Sequence, residues 1–259
     1  MLAPLDEPLI AALELTTAVR IADIGCGSGA TTVTAFRRAP LGSVVHGFDL
    51  SPGLIDVGRQ RSRHETLVEF AVADMGTEPP PRRPYDRLLS RLGVMFFADP
   101  PSAFENLRGW LAAGGRVAFA VWGPVEDNAW MAATRAAVAD AVAVPPAGQD
   151  APGPFRYADA DPFVTLLTRA GFHDVAVTDW RDRLPIGDRL PAPEAARFAL
   201  ASFSSFAELL TQAGPDAQVR AQQSLTARFT PYEQHGAVLM PARVHIVTGR
   251  GAPVAGARS

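Results

Sequence analysis

The sequence contains no lysine: all 24 of its basic side chains are arginine, set against 27 acidic ones and a formal net charge of −3. A chain that grips nucleic acid needs its basic residues gathered in excess on one stripe or patch. Neither the excess nor the stripe is present, so no nucleic-acid partner is expected. No apolar run reaches the roughly 18 residues of a membrane-spanning helix, so no membrane partner is expected either. The opening residues, MLAPLDEPLI, lack the basic start and apolar core of a secretory leader. Cysteine is nearly absent too. The single Cys26 rules out an intramolecular disulfide and fits a reducing, cytoplasmic location. No Cys/His cluster stands at metal-ligand spacing, so no metal is expected.

What is present suits an ordinary globular protein: 259 residues, 47% hydrophobic and 20% charged, enough for one full domain with a small appended lobe. The first half alternates short apolar runs with amphipathic stretches, the order of a parallel α/β sheet. Strands are predicted at 20–24, 44–49, 68–72, 85–90 and 116–122. Between them, helices are predicted over 31–39, from Ser51-Pro52 onward, and from Asp99-Pro100-Pro101 to a stop at Gly114-Gly115. An Ala-rich helix at 128–142 leads to a mobile Pro/Gly-rich connection at 145–154. Then come a helix from Asp161-Pro162 to Gly171 and a sixth strand at 175–180. Two amphipathic helices at 193–211 and 216–229 precede a last strand at 244–248. The expected core is 1–183 with 237–250; 184–236 is an inserted helical lid, cap or dimer surface, and 251–259 a disordered tail.

The strongest chemical signal is Asp23-Ile-Gly-Cys-Gly-Ser-Gly29, placed between a strand and a helix, where open α/β sheets bind nucleotides. Glycines at alternate positions let the backbone turn sharply and approach a ligand where a Cβ would collide. Asp49, at the end of the second strand, can accept both ribose hydroxyls of an adenosine. The spacing is G-x-G-x-G, whereas dinucleotide folds use G-x-G-x-x-G to seat a pyrophosphate. Asp23 would repel a pyrophosphate and suits a ligand carrying an ammonium and a sulfonium, which points to S-adenosylmethionine.

Four further segments extend the pattern: Gly47-Phe-Asp49, Val72-Ala-Asp-Met75, Ser90-Arg-Leu-Gly-Val-Met-Phe-Phe-Ala-Asp-Pro100 and Trp110-Leu-Ala-Ala-Gly-Gly-Arg116. With the glycine turn they resemble the ordered cofactor motifs of class I S-adenosylmethionine-dependent methyltransferases, closest in wording to the ubiquinone/menaquinone-type (methyltransferase type 11) group. The resemblance covers roughly residues 18–123. It implies a Rossmann-like, seven-stranded, mainly parallel sheet with an antiparallel last strand and helices on both faces. It also implies roles. Gly25, Gly27 and Gly29 line the methionine and ribose of the cofactor, with Cys26 a small filler in the loop. Asp23 orients the ammonium, Asp49 binds the ribose, and Asp74, next to Ala73, accepts from the adenine amino group. Leu50 and Met75 pack on the ring faces, and the Ser90-Arg91 backbone lies beside the methionine end. Only about 18 residues precede the first strand, fewer than many relatives use to cover the site.

Methyl transfer is an in-line displacement, so it depends mainly on positioning the acceptor. The loops after the fourth and fifth strands are apolar and aromatic, which suggests an apolar small-molecule acceptor methylated at O, C or N, as in secondary metabolism. Phe96, Trp122 and Trp130 are the expected walls. A general base, where one is needed, is sought first at His235, with Glu126 and Asp127 as weaker candidates. His46 and His245 read as structural, His64 as an exposed helix end, and His173 as the neighbour of a helix stop. Two enzyme alternatives stay open: a non-methylating, cyclase-like enzyme on the same fold and an NAD-dependent oxidoreductase. A non-catalytic binding protein is a third. A homodimer is compatible with the inserted helices.

Overall fold

A computed structural model describes residues 1–81, 84–145 and 152–251. In chain order the helices are α1 (Asp6–Ala11), α2 (Ala30–Arg38), α3 (Pro52–Arg61), α4 (Pro100–Trp110), α5 (Ala129–Ala139), α6 (Ala160–Arg169), α7 (Ala192–Ala201), α8 (Ser204–Ala213) and α9 (Pro215–Phe229). The strands are β1 (Arg20–Ile24), β2 (Val44–Asp49), β3 (Val68–Val72), β4 (Tyr85–Arg91), β5 (Leu111–Trp122), β6 (His173–Pro185), β7 (Glu233–Gln234) and β8 (Ala237–Arg250). They form one sheet in the order β3-β2-β1-β4-β5-β8-β6, with the short β7 paired to β8 outside that path. The pairings β1–β2, β1–β4, β2–β3 and β4–β5 are parallel and β5–β8 is antiparallel. This is the sheet implied by the motif order.

The chain divides into two compact units: Leu5–Trp122, Asp150–Trp180 and Val244–Ser259 in one, Met1–Pro4, Gly123–Gln149 and Arg181–Arg243 in the other. The second, helical unit holds α5 together with the residues of 184–236. The connection at 145–154 and the tail at 251–259 lie largely outside the described residues, as does part of the Pro-rich run at 79–84.

In the sheet unit β1 and β2 read as nearly continuous apolar runs because both of their faces are covered. Phe48 of β2 meets Trp110 edge-on, Tyr85 stacks on Trp110, and the buried His46 closes the cluster with a 2.8 Å hydrogen bond between Nδ1 and the Tyr85 hydroxyl. His46 is structural, as expected. His245 is also buried: Nδ1 lies 2.7 Å from Asp179 Oδ1 and Nε2 3.0 Å from the Ala158 carbonyl.

Three expected boundaries differ. Helix α4 ends at Trp110 rather than at Gly114-Gly115, because Leu111 already pairs with Tyr85 across β4–β5. The register then shifts between Tyr85 and Arg87, which absorbs the glycines as an irregularity within the strand. Strands β6 and β8 run to 13 and 14 residues, well beyond the 175–180 and 244–248 apolar cores that mark them in the sequence.

The helix expected over 193–211 is two helices, in the helical unit. Phe203 takes an extended conformation (φ −117°, ψ 105°) between α7 and α8. The break lets its half-buried ring stack on the buried Trp130 of α5 at 5.5 Å, a contact that an unbroken helix would not direct there. Ala217, Ala221, Leu225 and Phe229 recur every fourth residue along the buried face of α9. Asn128, fully buried before α5, donates to the carbonyls of Gly123, Pro124 and Arg243 and accepts from the Arg243 N–H, so its amide is satisfied.

Candidate cofactor site

The site lies wholly in the sheet unit, where β1 ends. Gly25, Gly27 and Gly29 all have positive φ (68°, 54° and 75°), so the turn is left-handed three times within five residues, as only glycine permits without strain. The turn is tied down by Cys26 N–H to the Phe48 carbonyl (2.9 Å) and Gly29 N–H to the Cys26 carbonyl (3.0 Å). A Cβ at Gly27 would stand in open space, with no atom within 4 Å. Gly27 is therefore the position where backbone is bared to a ligand. The other two glycines answer to packing as well.

A Cβ at Gly25 would sit 2.9 Å from the Gly93 Cα, and one at Gly93 only 2.8 Å from the Ile24 carbonyl oxygen. The segment leaving β4 thus crosses the turn backbone to backbone. A Cβ at Gly29 would fall 2.4 Å from the Phe70 ring, and Gly47 and Gly58 clear space for the same ring. Phe70, with Ile55, Val68, Cys26 and Phe36, is the packing beneath the turn. Nothing in the local sequence around residue 70 signals this; the unexplained glycines at 47 and 58 are its only trace.

Asp49 holds the turn from the side. One carboxylate oxygen accepts from Gly27 N–H and the other from Ser51 N–H, each at 2.9 Å. Each oxygen keeps a lone pair for a ribose hydroxyl. Leu50 beside it is 64% exposed, an apolar surface of the kind an adenine ring covers. Met75 is only 4% exposed, so most of its side chain is packed against the protein. Asp74 accepts from Gly76 N–H (2.9 Å) and the Thr77 hydroxyl (2.8 Å), closing its own turn while retaining acceptor capacity. Ala73 is buried. The Ser90 hydroxyl is spent on the Ile24 carbonyl at 2.6 Å, so only the backbone of Ser90 is free to face a ligand.

Asp23 is the electrostatic centre. It is 1% exposed; Oδ2 accepts from the Thr32 hydroxyl at 2.6 Å, and Oδ1 is buried without a partner. Burial pushes its carboxyl from 3.8 up to about 7, against the Thr32 hydrogen bond and the Arg91 charge, which both favour the ionised form. Burial likewise pushes the Cys26 thiol upward, helped by the charges of Asp23 and Asp49, so Cys26 is a filler rather than a nucleophile. Asp6 of α1 and Thr31 and Thr32 of α2 complete the surroundings, with Asp6 bonded to Thr31 and Arg91. None of these three was expected from the sequence.

Trp130, His235, Glu126 and Asp127 belong to the helical unit. Phe96 is 56% exposed in the loop after β4. Trp122 and Trp130 are buried, and Trp130 packs on Phe203 within the helical unit. His235 is exposed at the β7–β8 turn, where it and Gly236 both have positive φ (51° and 75°). That geometry makes His235 a turn residue, and among the described residues no hydrogen bond orients its imidazole. Asp127 is engaged by Arg243 and Arg181.

An adenosyl ligand with a cationic amino-acid end fits these residues: an open glycine cradle, a carboxylate with spare lone pairs beside an exposed apolar side chain, and a buried acceptor lacking a donor. The strand order, the antiparallel strand beside β5 and the glycine turn closing β1 define the class I methyltransferase fold. Comparison with known proteins agrees. Residues 22–119 match the family described as a methyltransferase domain. Aklanonic acid methyltransferase DauC of Streptomyces sp. (strain C5) is 32% identical over 118 residues, which are 45% of this chain and 54% of that protein. Phosphoethanolamine N-methyltransferase 1 of Zea mays is 33% identical over 116 residues, covering 44% of this chain and 23% of the relative. The chain thus spans about half or less of the length of these curated relatives. Among solved structures, the [4+2]-cyclase SpnF superposes with a TM-score of 0.59 over 97% of this chain and 82% of its own, at 17% identity.

Proposed function

We propose that the protein binds S-adenosylmethionine at the β1 turn and transfers its methyl group to O, C or N of an apolar small molecule. The buried, partnerless Oδ1 of Asp23 carries the proposal, because it asks for a cationic donor at the point where the cofactor's ammonium would lie. When bound, the cofactor supplies an electrophilic methyl whose bond to sulfur breaks as the acceptor's lone pair attacks. The chain's part is positional. Gly27 admits the ligand to the backbone, Asp49 fixes the ribose, Leu50 covers the adenine, and Asp74 accepts from its amino group. The helical unit is proposed as a lid or a homodimer surface, and the location as cytoplasmic. No described helix is long and apolar enough to cross a membrane.

Calorimetric titration of S-adenosylmethionine, S-adenosylhomocysteine and NAD into the wild type and Asp49→Ala tests the cofactor. The two adenosyl ligands should bind, at least tenfold more weakly to the variant, and NAD should not. Heat from NAD alone would replace this proposal with the oxidoreductase. A cyclase-like reaction on the same fold would persist with S-adenosylhomocysteine in place of S-adenosylmethionine, whereas methyl transfer would stop.

A further inference from the structure

Where β8 meets the segment leading into α6, a buried histidine makes two contacts of the same kind. His245 is 3% exposed; Nδ1 lies 2.7 Å from Asp179 Oδ1 on β6, and Nε2 lies 3.0 Å from the Ala158 carbonyl. A carboxylate and a carbonyl only accept, so the ring makes both hydrogen bonds only while both of its nitrogens carry a proton. A neutral imidazole has one N–H and turns a lone pair toward one of the two oxygens. All of these groups lie in the sheet unit.

Ala158 ends a strap, residues 153–158, that is fastened to the loop leaving β4. Gly153 N–H donates to the Met95 carbonyl at 3.3 Å and the Arg156 guanidinium donates to the Phe97 carbonyl, on either side of the exposed Phe96. That loop starts at Gly93, where it crosses the glycine turn. The apolar hold of the strap is the Tyr157 ring, stacked on Phe163 at 4.0 Å. Tyr157 also works against seating, because its hydroxyl is buried without a hydrogen-bond partner and release to water would satisfy it. The seated strap therefore carries one contact that needs a proton on His245 and one group that favours release.

We propose that His245 is a proton-operated latch: protonated, it pins the strap and through it the loop that carries Phe96; deprotonated, it releases both. His245 is thus a positioning residue, and the latch stands independently of the cofactor proposed above. The other titratable groups around it are few. Asp159 caps α6 by accepting from the Asp161 N–H at 3.1 Å. Burial pushes the Tyr157 phenol from 10 up to about 12, so it stays protonated. Arg156 in the strap keeps its charge, as do Arg243 and Arg181, two residues along their strands from His245 and Asp179. The β5 residue paired with His245 is the apolar Val121.

The test is NMR of the full chain across pH, without cofactor. Imidazole nitrogen shifts give the titration of His245. Hydrogen-exchange protection factors, which remove the intrinsic pH dependence of exchange, follow the hydrogen-bonded amides of Gly153, Ala158 and Phe96. Their protection should fall about tenfold or more as His245 loses its proton, the effect of losing one charge-assisted hydrogen bond, while that of Val45 in β2 holds constant. His245→Gln donates but does not titrate, so its strap should stay at the level of the deprotonated wild type at every pH. Tyr157→Phe removes the unpartnered hydroxyl and should raise strap protection severalfold. Asp23, raised to about 7, is a second titrating group in this unit, and Asp23→Asn should leave the strap's pH dependence intact. If His245→Gln fails to fold, the wild-type titration decides alone. A His245 that keeps one charge state wherever the protein is folded, or strap protection that does not follow its titration, would overturn the proposal. So would a pH dependence that survives in His245→Gln or vanishes in Asp23→Asn, or no gain from Tyr157→Phe.

Discussion

Replacing Asp23 by Asn separates what the site offers a cofactor from what it costs the fold. Burial raises the Asp23 carboxyl from 3.8 to about 7. An acid whose folded value lies above its unfolded one holds a proton in the native state that the unfolded chain has already lost. Stability therefore falls as pH rises between the two values and levels off above about 7. Some three pH units at ~1.4 kcal/mol each give a loss of about 4 kcal/mol between pH 4 and pH 8, an upper bound because structure relaxes around a buried charge. Asn has the same shape, no charge, and a carbonyl that can keep the Thr32 hydrogen bond. Without cofactor, urea denaturation should give the two proteins similar stability at pH 4 and a more stable variant at pH 8. All other titrating groups are shared, so the difference isolates residue 23. Cofactor binding should run the other way. Loss of a charge-assisted hydrogen bond worth ~1.5–3 kcal/mol weakens S-adenosylmethionine by about ten- to a hundredfold. A stability difference that stayed constant from pH 4 to pH 8 would refute the burial argument. A gain in stability with undiminished affinity would remove Asp23 from the ammonium.

Three more outcomes follow from the same geometry. Gly93→Ala places a methyl 2.8 Å from the Ile24 carbonyl oxygen and 2.9 Å from the Gly25 Cα, so it should destabilise by about 1–3 kcal/mol and weaken cofactor binding together; a denaturation midpoint and affinity equal to wild type would contradict the close crossing. The Cys26 thiol, raised by burial and by two carboxylates, should react slowly with Ellman's reagent at pH 8 in the native protein and at an ordinary rate in urea; rapid native labelling would speak against it. His235→Asn retains a residue tolerant of positive φ, so the fold and any methyl-transfer rate should survive, and a rate falling a hundredfold with unchanged cofactor affinity would restore His235 as the base.

The sheet was legible because its strands are short apolar runs between helix-start and helix-stop signals, and motif order then implied which strand carries which candidate cofactor residue. Asp23, the three turn glycines and Asp49 could be named because their conformational or electrostatic demand is local. Three kinds of residue could not. Phe70 acts through glycines that are distant in sequence, at 29, 47 and 58. Asp6 reaches Arg91 across 85 positions, and a short helix with one acid near the chain start gives no hint of the partner. The ends of α4 and α7 were set by tertiary contacts, Leu111 pairing with Tyr85 and Phe203 stacking on Trp130, which override the local signals at Gly114 and across 193–211. Trp122 and Trp130 are buried, and an aromatic loop beside a strand end reads alike whether it lines a site or fills a core.

Three carboxylates surround the turn, and their partners set them apart. Asp6 is neutralised by Arg91 and Thr31, and Asp49 is held by two backbone amides. Asp23 has one hydroxyl and one atom with no donor, so its charge is the one left for a ligand to answer. At an effective dielectric of ~20, ionised Asp23 would repel a unit negative charge about 5 Å away by about 3 kcal/mol, a repulsion felt in full only well above pH 7, because a carboxyl raised to about 7 can take up a proton instead. A dinucleotide pyrophosphate meets that repulsion, and an ammonium meets attraction of similar size. Selection against NAD and for S-adenosylmethionine would then share one cause, and Asp23→Asn should relax the first as it weakens the second. If the variant loses S-adenosylmethionine and NAD still gives no heat, rejection of the dinucleotide lies in the glycine spacing, whose G-x-G-x-G turn offers no seat for a pyrophosphate at the start of α2.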